Sequence, residues 1–222
     1  MGHKIKSFVR IIVVLSVLFL NINVLMAVAF PFREFDEGDP VPDVTLNGFE
    51  KDQQPVSFSG LKGNPFVAVF WGADLPEKFE RSVQILEEVG TLSPFLEERH
   101  VRLISVNVQG DDFATIQEVV TKSKSSIKVY LDQDKKAYGT LGIFVMPTIL
   151  LVDKNGNVVV GMGYSRDVVD KLQGAVKIML GEKTSGQVQA ELRPAMKEAS
   201  DEEKASRRHM NFGLVMLMSG AT

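Results

Sequence analysis

The run Phe66-Val67-Ala68-Val69-Phe70-Trp71 narrows most sharply what this chain can become. Six consecutive apolar residues, nearly all β-branched or aromatic, suit a strand only if both of its faces are covered. Directly after it, Gly72-Ala73-Asp74-Leu75 leads to Pro76, a residue suited to the first turn of a helix. Phe79, Val83, Leu86 and Val89 then recur at helical spacing. A covered strand handing over to an amphipathic helix predicts a layered α/β unit.

The rest of the chain repeats this alternation. Gly90 and Pro94 predict a break in the helix before Phe95 and Leu96 resume. Val101 to Val108 reads as a second central strand, and Asp111 or Asp112 caps a helix carrying Phe113, Ile116, Val119 and Val120. Ile127 to Leu131 is a short strand and Lys135 to Leu141 a short helix. Thr148 to Asp153 is a strand, returned through the tight turn Lys154-Asn155-Gly156-Asn157 to Val158-Val159-Val160. Ser165 then caps a last helix with Val168, Val169, Leu172, Val176 and Met179 inward, ended by Gly181. Residues 30–37 read as an extended lead-in, and 182–199, which lose periodicity, as a linker.

Composition removes several functions. The formal charge of −3 offers no basic footprint for nucleic acid. Three scattered histidines, His3, His100 and His209, predict no metal site, and no cofactor is expected. The chain contains no cysteine, so thiol chemistry and cysteine-bound metals are outside its own means. Glu77, Glu80, Glu87 and Glu88 have the spacing of a solvated helix face, and Gly161-Met162-Gly163 is too short for a dinucleotide fingerprint.

Residues 1–29 read as a targeting segment. A basic stretch with His3, Lys4, Lys6 and Arg10 precedes the apolar run Ile11 to Leu20. Ala27-Val28-Ala29 favours a signal peptide cleaved after Ala29, and an uncleaved membrane anchor is the other reading. Removal of these residues would leave 22 basic against 28 acidic residues, a formal charge of −6. Both readings put the remainder outside the cytoplasm, in a bacterial periplasm or on the outer face of the inner membrane.

Three motifs carry a resemblance. Gly38-Asp39-Pro40-Val41-Pro42-Asp43-Val44-Thr45-Leu46, the turn Ser59-Gly60-Leu61-Lys62-Gly63-Asn64, and Phe70-Trp71-Gly72-Ala73-Asp74-Leu75-Pro76-Glu77-Lys78 resemble the redoxin and TlpA/ResA-like thiol-disulfide oxidoreductases. The resemblance covers residues 38–181 and implies a thioredoxin-like fold, a central mixed sheet flanked by helices. It places the two active-site cysteines at Leu75 and Lys78, so the expected thiol chemistry is missing. Val145-Met146-Pro147-Thr148 is similar to the family's cis-proline loop, which implies a peptide-binding groove. On that basis Trp71, Asp74, Pro76, Met146 and Pro147 are candidate peptide-binding residues. Trp71 also reads as core packing, and Asp74 as the N-cap of the helix. Lys78 reads as a solvated lysine in preference to a Schiff-base nucleophile, because no partner acid or base is recognisable nearby.

Residues 200–222 read as a helical tail, opened by the capping box Ser200-Asp201-Glu202-Glu203. His209, Phe212, Gly213 and Met216 resemble the first helix of a tetratricopeptide repeat, and a generic amphipathic helix fits as well. Its apolar face needs a cover: the chain's own domain, a membrane surface, or a partner with tetratricopeptide repeats. The expectation is an exported, redox-inactive module that binds protein or peptide. The alternative is a redox enzyme of the family working with a thiol supplied by a partner.

Overall fold

The computed structural model describes residues 30–192. Residues 1–29, where a targeting segment is expected, and 200–222, with His209, Phe212, Gly213 and Met216, lie outside the described residues. No helix among the described residues is long and apolar enough to cross a membrane.

Seven strands form one mixed sheet: β1 (Thr45–Gly48), β2 (Val56–Ser57), β3 (Phe66–Trp71), β4 (Arg102–Asn107), β5 (Lys128–Leu131), β6 (Thr148–Val152) and β7 (Val158–Gly163). Their spatial order is β2-β1-β5-β4-β3-β6-β7. The pairs β3–β4 and β4–β5 are parallel, while β6 runs antiparallel to β3. Four helices connect strands, α1 (Pro76–Gly90), α2 (Ser93–Glu98), α3 (Phe113–Ser123) and α4 (Lys136–Leu141), and α5 (Val168–Met179) follows β7. This is the expected thioredoxin-like arrangement, with α1 and α2 separated where Gly90 and Pro94 predict a break.

Strand β3 is buried at all six positions, and its alternation divides the core in two. Val67, Val69 and Trp71 pack with Ile85, Leu86 and Val89 of α1, Ile116 and Val119 of α3, and Leu172 and Val176 of α5. Phe66, Ala68 and Phe70 pack on the other face with Phe58, Ala137 and Leu141.

The structure departs from the sequence reading in several places. The lead-in 30–37 belongs to the core: Phe32 and Phe35 are buried and stack with ring centroids 5.0 Å apart. Its backbone is tied down as well, Arg33 N–H donating to the Gly142 carbonyl at 3.1 Å. The linker is helical over 185–192. Thr184 and Gln187 cap that helix reciprocally: Thr184 N–H donates to Gln187 Oε1 (2.8 Å) and Gln187 N–H to Thr184 Oγ1 (3.3 Å). Val188 then packs where a Cβ on Gly174 would stand, 2.5 Å from its Cγ1. Ser165 does not cap α5. Asp167 holds the N-cap position, and its carboxylate turns to Lys171 one turn on, at 2.9 Å. In the turn between β6 and β7, Gly156 takes positive φ (87°), whereas Asn155 does not.

Phe32→Ala should lower stability by about 3–5 kcal/mol, the range for emptying a buried aromatic site. Urea unfolding of the full chain checks this; a loss under about 1 kcal/mol would mean that the lead-in is only draped on the domain.

Candidate peptide groove

The C-terminal end of β3 meets the start of β6, because Phe70 pairs with Thr148. That register brings the turn Gly72–Leu75 beside the loop Val145–Pro147. The Met146–Pro147 bond is cis. Tyr164 N–H donates to the Pro147 carbonyl at 3.3 Å, tying the loop to the end of β7.

One peptide unit of the turn is held from both sides. Ser82 Oγ, fully buried on α1, donates to the Gly72 carbonyl at 2.8 Å. The Ala73 N–H of the same unit donates to Asp111 Oδ2 at 2.7 Å. Asn107 Nδ2 donates to that same oxygen at 2.6 Å and steadies the carboxylate. Asp112, the next residue, is the true N-cap of α3 and accepts from Thr115 N–H at 2.9 Å. Those backbone and hydroxyl donors from Thr115 hold the Asp112 carboxyl below its ordinary range.

The candidate residues fall into different roles. Leu75 is extended (φ −132°, ψ 149°), caps α1 without a side-chain bond and is 52% exposed. Asp74 is therefore not the N-cap; its carboxylate is drawn to Lys78 Nζ at 2.8 and 3.2 Å. That ion pair also gives Lys78 the acidic neighbour that sequence reading did not find. The pair is partly exposed, so nothing desolvates the ammonium into a nucleophile. Trp71 is wholly buried and supports the turn from beneath, with Nε1 unpartnered. Pro147 is also buried, Met146 is half-buried, and Pro76 is exposed. The turn and loop thus come together, while Trp71 stays out of any peptide's reach.

Several residues escaped the sequence reading. Val145 and Phe144 are exposed beside the loop, and the Arg33 guanidinium lies 4.9 Å from the centre of the Phe144 ring. Gln109 lies between the turn and Met146, with its Nε2 3.6 Å from Met146 Sδ. A signal for Gln109 and Asp111 existed in their position just beyond a parallel strand, where sites of α/β sheets form. Ser82 fell on the inward stripe of α1, one polar residue among apolar ones. Glu88 is not part of a solvated face. Its Oε1 accepts from Tyr164 Oη at 3.1 Å, and its Oε2 is enclosed without a partner.

Clefts of about 630 and 620 Å³ open elsewhere on the domain, and one of about 270 Å³ is lined by Asn107, Gly110 and Asp111 among others; none of the three is lined by Leu75, Lys78, Met146 or Pro147.

Ser82→Ala and Asp111→Ala should each cost about 1–3 kcal/mol, because each strands a buried partner. The Ala73 amide should then exchange faster in hydrogen-exchange measurements; unchanged exchange would contradict the clamp. Burial and the neighbouring Glu88 charge push the Tyr164 phenol up to about 12. Its protonated form is the one that suits the fold. The stability it contributes is full below pH 10 and fades as the pH rises toward 12. The difference in tyrosinate absorbance between wild type and Tyr164→Phe should show a midpoint near 12; one near 10 would contradict the burial of this pair.

The Redoxin family profile matches residues 36–170. Thiol-disulfide oxidoreductase ResA of Bacillus anthracis is 27% identical over 122 residues, covering 55% of this chain and 66% of the relative. ResA of Geobacillus thermodenitrificans is 24% identical over 121 residues, covering 54% and 66%. The chain thus spans just under two thirds of the length of these relatives. Among solved structures, a Chlorobium tepidum protein described as thiol:disulfide interchange protein DsbE superposes with a TM-score of 0.57 at 20% identity, over 66% of this chain and 99% of that one. An uncharacterized conserved protein from Geobacillus kaustophilus gives 0.57 at 15% identity, over 68% and 86%. The fold is thioredoxin-like, and the chain, though without a cysteine, belongs to the Redoxin family.

Proposed function

We propose that this protein is an exported, thiol-free member of the family that holds an extended protein segment instead of exchanging electrons with it. One observation carries the reading: the groove is kept while its thiols are not. Leu75 and Lys78 stand at the positions that resemblance gives to the two cysteines, and neither can become a thiolate. Around them the turn is clamped and the loop is retained.

Chain recognition is supported by two features. Among the described residues the backbone N–H groups of Val145 and Met146 have no hydrogen-bond acceptor, so this stretch is open to main-chain pairing. Leu75, Phe144 and Val145 put apolar surface beside it. Export rests on the targeting pattern of residues 1–29. The tail, with His209, Phe212, Gly213 and Met216, is proposed as a second docking element for a partner protein, one with tetratricopeptide repeats fitting its pattern best.

Titration of isotope-labelled protein with a short apolar peptide should move the amide resonances of Leu75, Val145 and Met146; no movement there would end this reading. The scaffold itself should still accept thiols. The double substitution Leu75→Cys with Lys78→Cys should gain dithiol-disulfide activity in an insulin-reduction assay. A folded double variant without activity would mean that the turn is no longer shaped for exchange.

A further inference from the structure

Gln109 joins the two halves of the groove. Its stem crosses Gly72, where a Cβ would stand 2.1 Å from Gln109 Cγ and 2.9 Å from its Cβ. Only a residue without a side chain leaves that path open. At the far end, Nε2 approaches the thioether of Met146 at 3.6 Å, a weak acceptor. No donor among the described residues reaches Oε1, and that atom is not among the enclosed unpartnered ones. The half-buried side chain therefore leaves an acceptor open to solvent at the floor of the groove.

Leu75, Phe144 and Val145 give the surroundings exposed apolar surface. Asp74 is paired with Lys78, and Arg33 lies over the Phe144 ring. A guest seated against Leu75 and Val145 loses water there, and that loss costs least for an uncharged one.

Taking the groove as the peptide site proposed above, we infer that Gln109 is its specificity-determining residue, with Oε1 accepting a hydrogen bond from an N–H of an extended, uncharged apolar segment seated between Leu75 and Val145. The segment is held by this bond and by burial, without a covalent step, so a chain with every thiol blocked binds as well as one with free thiols.

The test uses the full chain and, as probe, reduced and carbamidomethylated α-lactalbumin, an unfolded polypeptide without a free thiol. Wild type should bind it, and Gln109→Leu and Gln109→Met, which keep the bulk and lose the acceptor, should weaken binding about fivefold. Arg102→Ala, at the other end of β4, should bind as wild type does. In parallel, the Gln109 side-chain amide resonances of the wild type should shift on addition of probe, a readout that needs no variant to fold. Binding by wild type with unmoved Gln109 resonances, or with equal affinity in both variants, overturns the role of Gln109 and leaves the peptide groove standing. No binding by wild type overturns the groove reading and this role with it.

Discussion

Strand β3 can be apolar at every position only because it lies in the interior of the sheet with a separate core on each face. Val67, Val69 and Trp71 need the helical layer of α1, α3 and α5. Phe66, Ala68 and Phe70 need α4 and the N-terminal aromatic residues. Remove either cover and about half of the strand's side chains face water, at roughly 1.5–3 kcal/mol for each large apolar one. That demand fixes the layered architecture. It also explains why residues 30–37, half of them charged, give up Phe32 and Phe35 to the interior.

The same strand delivers the turn that faces the cis-proline loop. The Gly72–Ala73 peptide unit of that turn is gripped by Ser82 on the carbonyl side and by Asp111 on the amide side. Two elements distant in sequence thereby fix one plane, and with it the direction in which α1 departs. A turn held this firmly is a suitable platform for a reactive thiol at the helix start. In this chain that platform presents Leu75, with the Asp74–Lys78 pair alongside. Apolar contact and hydrogen bonding are what such a surface offers to a passing chain, and both are reversible.

The order of strands and helices was legible because each signal was local: a six-residue apolar run, a 3.6-residue repeat, a Pro76 at a helix start, a Gly156 in a tight turn. The pairing of turn and loop was legible through family resemblance. What escaped depends on contacts between distant segments. Asp111 looked like a helix cap, and only the fold reveals that Asp112 has that task while Asp111 reaches back to Ala73. Glu88 followed the spacing of exposed acids, yet Tyr164, 76 positions on, half-buries it. The helix at 185–192 did carry a local signal, the Thr184-Ser185-Gly186-Gln187 capping box, of the same kind as that read at Ser200. Low hydrophobicity across that stretch hid it, because Val188 alone supplies the buried contact.

On the proposed reading, this scaffold holds other chains and does not oxidise or reduce them. Insulin disulfide reduction by the purified chain, with dithiothreitol as the electron source, addresses it most directly. Precipitation of the insulin B chain should then proceed at the uncatalysed rate at every protein concentration. A rate that rises in proportion to added protein, with no other thiol protein present, would contradict it.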